Sequence, residues 1–447
     1  MAKHSARYAC SNCGAQYSSW AGKCSQCGEW NTIQEEVQLV DTGSSRASQP
    51  VVVQSVQQSI AKPEERMATG FKDIDEVLGG GIVRGGVTLL AGQPGIGKST
   101  LLLQLANAVA QHEPVLYVSG EESAHQIGMR ANRMHTNAEK LSIATANSAN
   151  EIANTIASKK YQFVVVDSIQ TMQAESLSSP PGSVTQITNS THLLLQAAKR
   201  SNTALIIVGH VTKEGSIAGP KLLEHLVDVV LTFDGEAYGG LKLLRAAKNR
   251  FGPTTESAIL EMTQKGLEVV TNPSQLLLEE RQITDGSVVL AALEGTRPVL
   301  VEVQALVNKT SFGYAKRAAS GYDQGRLQLL VAMLERRTKL QLSDHDIYVN
   351  IVGGLKIQDP AADLAICMAI GSAAKGLQLN QNAVVFGEVG LSGEVRHVPF
   401  IEKRVAEAQK LGFDSAIGPK VRNKTYKNSF LHPIADVRTA LNEFLTK

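Results

Sequence analysis

An α/β fold built on a parallel sheet around a phosphate-binding loop, with a small cysteine module before it and an α+β domain behind it, is what this 447-residue sequence predicts. Three observations carry the prediction. Residues 92–100 read G-Q-P-G-I-G-K-S-T and fill the pattern G-x-x-x-x-G-K-[ST]. Two apolar runs farther on end in acidic residues, as strands of a parallel sheet do where they face a ligand crevice. Four of the five cysteines fall within residues 1–32 as two C-x-x-C pairs.

A chain this long exceeds one ordinary domain, so two or three are expected. Lys plus Arg number 44 against 42 for Asp plus Glu, leaving +2, and any surface for a polyanion must therefore be local. No apolar run approaches a membrane span, and MAKHSARYAC lacks the apolar centre of a secretion signal. A soluble, cytoplasmic protein with no membrane partner is expected.

Cys10, Cys13, Cys24 and Cys27 stand in C-S-N-C-G and C-S-Q-C-G, ten residues apart. Each pair can form a tight turn that aims two thiolates at one ion, and four thiolates suit tetrahedral Zn²⁺. Disulfides compete, but a reducing cytosol disfavours them, and a thioredoxin-like redox pair would need a βαβ setting that is missing. The metal is expected to hold this module folded. Trp20 and Trp30, the only tryptophans, are expected to be its miniature core. Residues 33–62, rich in Gln, Ser, Val and Thr, read as a linker with at most one short strand over 51–56.

Around the phosphate loop, residues 87–91 form an apolar run of buried-strand type, and 101–110 (LLLQLANAVA) favour a helix that starts where the loop ends. Glycines let backbone N–H groups turn inward on phosphate oxygens, and the helix N-terminus favours an anion. Gly92, Gln93, Pro94, Gly95, Ile96, Gly97, Lys98, Ser99 and Thr100 are thus the candidate cradle for a nucleoside triphosphate. Lys98 would reach the β- and γ-phosphates and the Ser99 hydroxyl would ligate Mg²⁺.

From Thr69 the chain runs T-G-F-K-D-I-D-E-V-L-G-G-G-I-V-R-G-G-V-T-L-L-A-G into the loop, and here it resembles the RecA-like ATPase superfamily. The runs 114–119 (PVLYVS) and 162–167 (QFVVVD) lead to Glu121, Glu122 and Asp167. At the carboxyl ends of parallel strands these acids converge on the nucleotide. Asp167 is expected to hold the Mg²⁺ shell, partly through water. Glu121 stands where the superfamily has its base and is expected to polarise the attacking water, with Glu122 second to it. A strand over 204–209 ends at His210, where the superfamily has a polar residue sensing the γ-phosphate. Residues 177–188 (LSSPPGSVTQIT) and 214–221 (EGSIAGPK) read as irregular and match the superfamily's DNA-contacting loops.

After an expected strand over 240–246 comes K-N-R-F-G, with Lys248 and Arg250 two residues apart and so on one side of an extended segment. Cysteine module, phosphate loop and this pentapeptide, in this order, resemble a bacterial DNA-repair branch of the superfamily over essentially the whole chain. The resemblance implies a homo-hexameric ring on single-stranded and branched DNA that hydrolyses ATP to translocate. It would drive branch migration of recombination intermediates beside the RecA recombinase. Lys248 and Arg250 would then act on the neighbouring subunit's γ-phosphate. A filament-forming strand-exchange recombinase and a nucleotide switch without a DNA substrate are the rival readings.

Beyond Pro273, residues 287–293, 298–307 and 347–352 read as strands, and 327–340 and 360–374 as helices, the latter with Cys367 in the core. From Gly387 the chain reads G-E-V-G-L-S-G-E-V-R-H-V-P and resembles the proteolytic domain of Lon proteases. Those enzymes need a Ser–Lys dyad. Here D-P-A-A-D puts Ala361 at the serine's place, and the alignment puts Glu402 at the lysine's. Alanine cannot attack a carbonyl, so an oligomerisation scaffold without peptidase activity is expected. Lys309, Lys316, Arg317 and Arg326 are candidate phosphate contacts. The expected domains are 1–32 (zinc ribbon), 33–62 (linker), 63–272 (RecA-like) and 273–447 (Lon-like).

Overall fold

The computed structural model describes residues 8–10, 16–17, 19–26, 28, 30, 33–35, 65–136, 138–210, 222–235, 240–311, 313–379, 382–421 and 429–446. The expected strand over 51–56 and the expected loop over 214–221 lie outside these residues.

In the N-terminal module Tyr8–Cys10 pairs antiparallel with Gln16–Tyr17 on one side and Ile33–Glu35 on the other. The third strand begins just past residue 32. Cys24 and Ile33 are buried, with Tyr8, Tyr17 and Ala21 packed on them. The tryptophans are not the core: Trp20 is 61% and Trp30 67% exposed. So short a module encloses too little volume for an indole. The rings instead flank Gly22, each 3.8 Å from where a Cβ would stand, and Lys23 Nζ lies 5.4 Å from the Trp30 ring centre.

The central domain is a nine-stranded sheet. Its elements are β1 (Val87–Gly92), α1 (Lys98–Ala110), β2 (Val115–Ser119), β3 (Leu141–Thr145), β4 (Phe163–Asp167), α2 (Val184–Ser201), β5 (Ala204–His210), β6 (Val229–Gly235), β7 (Leu241–Asn249), β8 (Ser257–Thr263) and β9 (Gly266–Val269). Strand order is β9-β8-β7-β6-β1-β5-β4-β2-β3, parallel from β6 to β3 and antiparallel from β6 through β9. A parallel strand covered on both faces reads as an unbroken apolar run, which is why 87–91 and 204–209 were recognisable. Successive residues then serve opposite cores: Leu90, Val165 and Ile206 face one layer of helices, and Leu89, Val164 and Ile207 the other.

Five of the twelve residues of the expected irregular segment 177–188 are helix instead. Ser183 caps α2 by accepting from Gln186 N, and Gln186, Ile187 and Thr188 are buried. The segment T-Q-I-T-N-S-T looks polar enough for a loop. Its hydroxyls, however, bond back along the helix, Thr188 Oγ1 to Val184 O and Thr191 Oγ1 to Ile187 O at 2.8 Å each, so they are buried without loss.

The C-terminal domain comprises β10 (Ser287–Glu294), β11 (Arg297–Lys309), β12 (Arg317–Ser320), α3 (Gln324–Thr338), β13 (His345–Ile351), α4 (Ala362–Lys375), β14 (Ala383–Val385), β15 (Ser415–Pro419) and β16 (Leu431–Ile434). Its sheet runs β12-β13-β11-β10-β14-β15-β16. Cys367 is fully buried on α4. The core takes in Leu241 and Leu243 of β7 and Ile259 of β8, so the two domains share apolar packing. Arg297 to Asp73, at 2.8 Å, and Arg245 to Glu294 are ion pairs across the same boundary. No described helix is long and apolar enough to cross a membrane.

Candidate nucleotide site

Strand β1 lies at the centre of the sheet, buried along its whole length, and delivers the phosphate loop at its carboxyl end. The loop turns where side chains do not fit: a Cβ on Gly92 would stand 2.6 Å from Phe233 O, and Gly97 sits at φ 114° with Met262 Cε 2.8 Å from a Cβ's place. Helix α1 begins at Lys98, three residues before the expected Leu101, so the N–H groups of its first turn face the loop. Gln93, Pro94 and Gly95 are exposed on the rim and Ile96 is buried beneath it.

Lys98 is 4% exposed. Its Nζ donates to Gly92 O at 2.8 Å and Gln93 O at 2.9 Å, and lies 3.2 Å from His210 Nδ1. Burial lowers its pKa to about 8, against the pull of Asp167 and Glu121, which raises it. Asp167, buried at the end of β4, accepts from Tyr117 OH at 2.6 Å. Burial first, and Asp167 next, push the Tyr117 phenol well above its ordinary range.

Glu121 stands opposite. Its Oε1 accepts from Ser168 Oγ at 2.5 Å and lies 3.4 Å from His210 Nε2. His210 thus bridges Lys98 and Glu121 through its two ring nitrogens. Glu122 points elsewhere and forms an ion pair with Arg130. Lys98, Glu121, Asp167 and His210 are therefore brought together beside the phosphate loop. Ser168 and Tyr117, which hold the two acids, were not singled out. Their signal was weak: a hydroxyl beside an acid at a strand end, and an aromatic inside an apolar run.

Lys248 and Arg250 are not at this loop. Strand β7 runs antiparallel to β6, so Lys248 pairs with Val230, itself level with Leu89. Leu89 is three residues before Gly92, which at about 3.3 Å per residue sets Lys248 roughly 10 Å back toward the amino end of β1. Its Nζ donates to Glu224 O and Val227 O at 2.7 Å each, and Arg250 Nη1 donates to Asp228 Oδ1 at 3.1 Å. Burial, and then Arg250, lower the Lys248 pKa. The rest of the pentapeptide is structural. Asn249 Nδ2 bonds Val77 O, Arg66 bonds Phe251 O, and a Cβ on Gly252 would stand 2.6 Å from Gly79 Cα.

In the N-terminal module Cys24 is buried, with Tyr17 OH 3.0 Å from its Sγ. Gly28 N donates to Cys24 O at 2.9 Å with φ 76° at Gly28, the tight turn expected after a C-x-x-C pair. A buried thiol on such a turn fits a metal site. Cys10 ends its strand, and Cys13 and Cys27 lie outside the described residues.

In the C-terminal domain Ala361 is buried at the start of α4, its N–H donating to Asp359 Oδ1 at 3.0 Å. Glu402 is exposed. The buried group is Arg404, which donates to Asp359 Oδ2 at 2.7 Å. Of the four expected phosphate contacts, Arg326 turns inward onto Asp363 and Val389 O. A buried carboxylate demands a cation, and this arginine is the one supplied.

Matching family models agree with the three parts: a rubredoxin metal-binding domain over residues 8–35, an AAA domain over 58–216, and subunit ChlI of Mg-chelatase over 327–422. Fold and site together define a RecA-like P-loop ATPase core carrying an N-terminal zinc ribbon and a ChlI-like C-terminal domain. A DNA repair protein RadA from Aquifex aeolicus is 43% identical over 99% of both chains. Those from Pseudomonas aeruginosa and Bacillus subtilis are 46% and 47% identical over 94% of this chain, covering 94% and 93% of their own. This chain belongs to the DNA repair protein RadA family. A crystal structure of the RadB recombinase matches 46% of this chain and 99% of its own at 26% identity, with a TM-score of 0.37.

Proposed function

We propose that this protein is a DNA-dependent ATPase that works as a hexameric ring, translocates on single-stranded DNA and drives branch migration of recombination intermediates beside the RecA recombinase. The observation that carries the proposal is the separation of Lys248 and Arg250 from the phosphate loop of their own chain. A cation pair held about 10 Å back from Gly92, with Arg250 half-exposed, supports a site completed by a neighbouring subunit.

In this reading Lys98 exchanges the carbonyls of Gly92 and Gln93 for the β- and γ-phosphate oxygens of ATP. Glu121, steadied by Ser168, polarises the attacking water, and His210 reports the γ-phosphate by changing its hold on Lys98 and Glu121. Ser99 and Asp167 would hold Mg²⁺, which when bound neutralises charge on the phosphates. Lys248 and Arg250 of the adjacent subunit stabilise the charge that develops in transfer. Cys10, Cys13, Cys24 and Cys27 would hold Zn²⁺. The C-terminal domain has no peptidase role, since Ala361 offers no nucleophile and Glu402 faces solvent.

Lys98→Ala and Arg250→Ala proteins, each inactive alone, should regain ATPase activity when mixed, because some interfaces then pair an intact loop with an intact arginine. No recovery in rings shown to be mixed would overturn completion in trans. Strand displacement on three-stranded DNA, with and without RecA and at stated salt, tests the DNA side.

A further inference from the structure

The open edge of β12 carries an imitation of a neighbouring strand. Strand β12 ends the C-terminal sheet and, among the described residues, pairs only with β13, in parallel. On its outer side Ala319 N donates to Gln324 Oε1 at 3.0 Å, and Gln324 Nε2 donates to Arg317 O. A residue of a parallel strand beside Ala318 would make this same pair of bonds, giving its N–H to one carbonyl and taking the N–H two residues on. One side-chain amide thus stands in for the N–H and C=O of one strand residue.

The edge lies between two hollows. A cavity of about 720 Å³, which includes Ala319, Gly321 and Gln324 in its wall, opens on the inner face, and one of about 520 Å³, with Ala318 and Ser320, on the outer. The outer hollow is floored by the exposed side chains of Leu306 and Tyr348, left uncovered because Ala318 and Ser320 are small. In the inner cavity Asp359 and Asp363 are neutralised by Arg404 and Arg326. Lys356 and Glu388 in the same wall have no charged partner among the described residues.

We propose that β12 binds an extended peptide from a partner protein, added parallel to it as a further strand in place of the Gln324 amide. Side chains alternate across a strand, so the peptide that fits alternates too. Apolar residues lie over Leu306 and Tyr348, and charged ones meet Lys356 and Glu388. Backbone pairing gives affinity, and the two hollows give selectivity.

The test is selection of a phage-displayed random dodecapeptide library on the full-length protein, followed by fluorescence anisotropy with the best peptide made synthetically. Gln324→Ala should tighten binding about fivefold, because the competing amide is gone. Ala319→Pro removes the outward N–H while leaving the β13 ladder intact, and should weaken binding at least about tenfold. The same peptide N-methylated at alternate residues should also lose binding, a readout that needs no variant to fold. Failure to select any peptide, or equal binding by the N-methylated form, would overturn the proposal. Growth of Gln324→Ala into larger oligomers without peptide would assign the edge to a second copy, and displacement by a labelled oligonucleotide that itself pairs at this edge would assign it to DNA. Either result also overturns it.

Discussion

Arg250 Nη1 lies 3.1 Å from Asp228 Oδ1, and the same oxygen receives Lys199 Nζ at 3.2 Å. The other oxygen accepts from Val87 N at 3.1 Å, so one buried carboxylate ties the start of β1 to the arginine proposed to act on a neighbour's nucleotide. Asp228→Asn keeps the volume and an acceptor for Val87 but loosens Arg250. The expected result is a fall in kcat of about tenfold with KM for ATP unchanged, as for a mispositioned group outside the binding loop. Steady-state ATPase measurements check it, and an unchanged kcat would remove Asp228 from this role.

Lys98 gives a pH dependence with a definite sign. Without nucleotide its proton is lost near pH 8, below its ordinary 10.5, because burial outweighs the attraction of Asp167 and Glu121. Phosphate oxygens require the ammonium form, so binding takes up a proton above pH 8, and affinity weakens as pH rises from there. Calorimetry of a nonhydrolysable ATP analogue at pH 9, in two buffers of different ionisation enthalpy, should show that uptake, and at pH 7 should not. For the nucleotide-free chain stability changes with pH in the opposite sense. The unfolded lysine keeps its proton to about 10.5, so this group's cost to stability is relieved as pH climbs from 8 toward that value.

Tyr117→Phe deletes the 2.6 Å bond to Asp167 and leaves a buried carboxylate short of a donor. Stability should fall by about 1.5–3 kcal/mol, the usual range for a hydrogen bond to a charged group. The Mg²⁺ concentration for half-maximal hydrolysis should rise as well, since Asp167 loses its fixed orientation. Thermal unfolding and a magnesium titration separate the two effects.

Arg245→Ala should destabilise by about 3–5 kcal/mol at neutral pH, the cost of stranding a buried charge. Glu294 is 4% exposed, and its pKa is already raised by burial, with Arg245 pulling it back down. A raised carboxylate pKa means the folded state holds the proton more tightly, so stability is lost as pH rises through that value. Removing Arg245 raises it further. The deficit should therefore shrink as pH falls toward 5, and Glu294→Gln added to Arg245→Ala should recover much of it. Urea denaturation at several pH values checks both.

Cys24→Ser should lower the zinc content of the purified protein to background by atomic emission, while ATPase activity without DNA persists. Retention of zinc would show that Cys24 is not a ligand.

Much of the central sheet was legible because strands covered on both faces have few residue types open to them. The runs 87–91, 162–167 and 204–209 announce themselves, and the acids at their ends could be placed by direction alone. What stayed hidden depends on partners distant in sequence. Ser168 matters through Glu121, 47 positions earlier, and Tyr117 through Asp167, 50 later. Trp20 and Trp30 misled because an indole is usually interior, whereas among the described residues of this module only Cys24 and Ile33 are buried and both indoles lie outside them. Segment 177–188 misled because buried threonines that bond their own helix look, in sequence, like a loop.

One consequence follows from the shared apolar packing between the domains. Strand β8 sets Met262 against Gly97 of the phosphate loop, and three residues earlier it buries Ile259 in the C-terminal core. One strand of seven residues thus contributes a side chain to the wall of the phosphate loop and another to the core of the C-terminal domain, so neither domain's packing is complete without the other's.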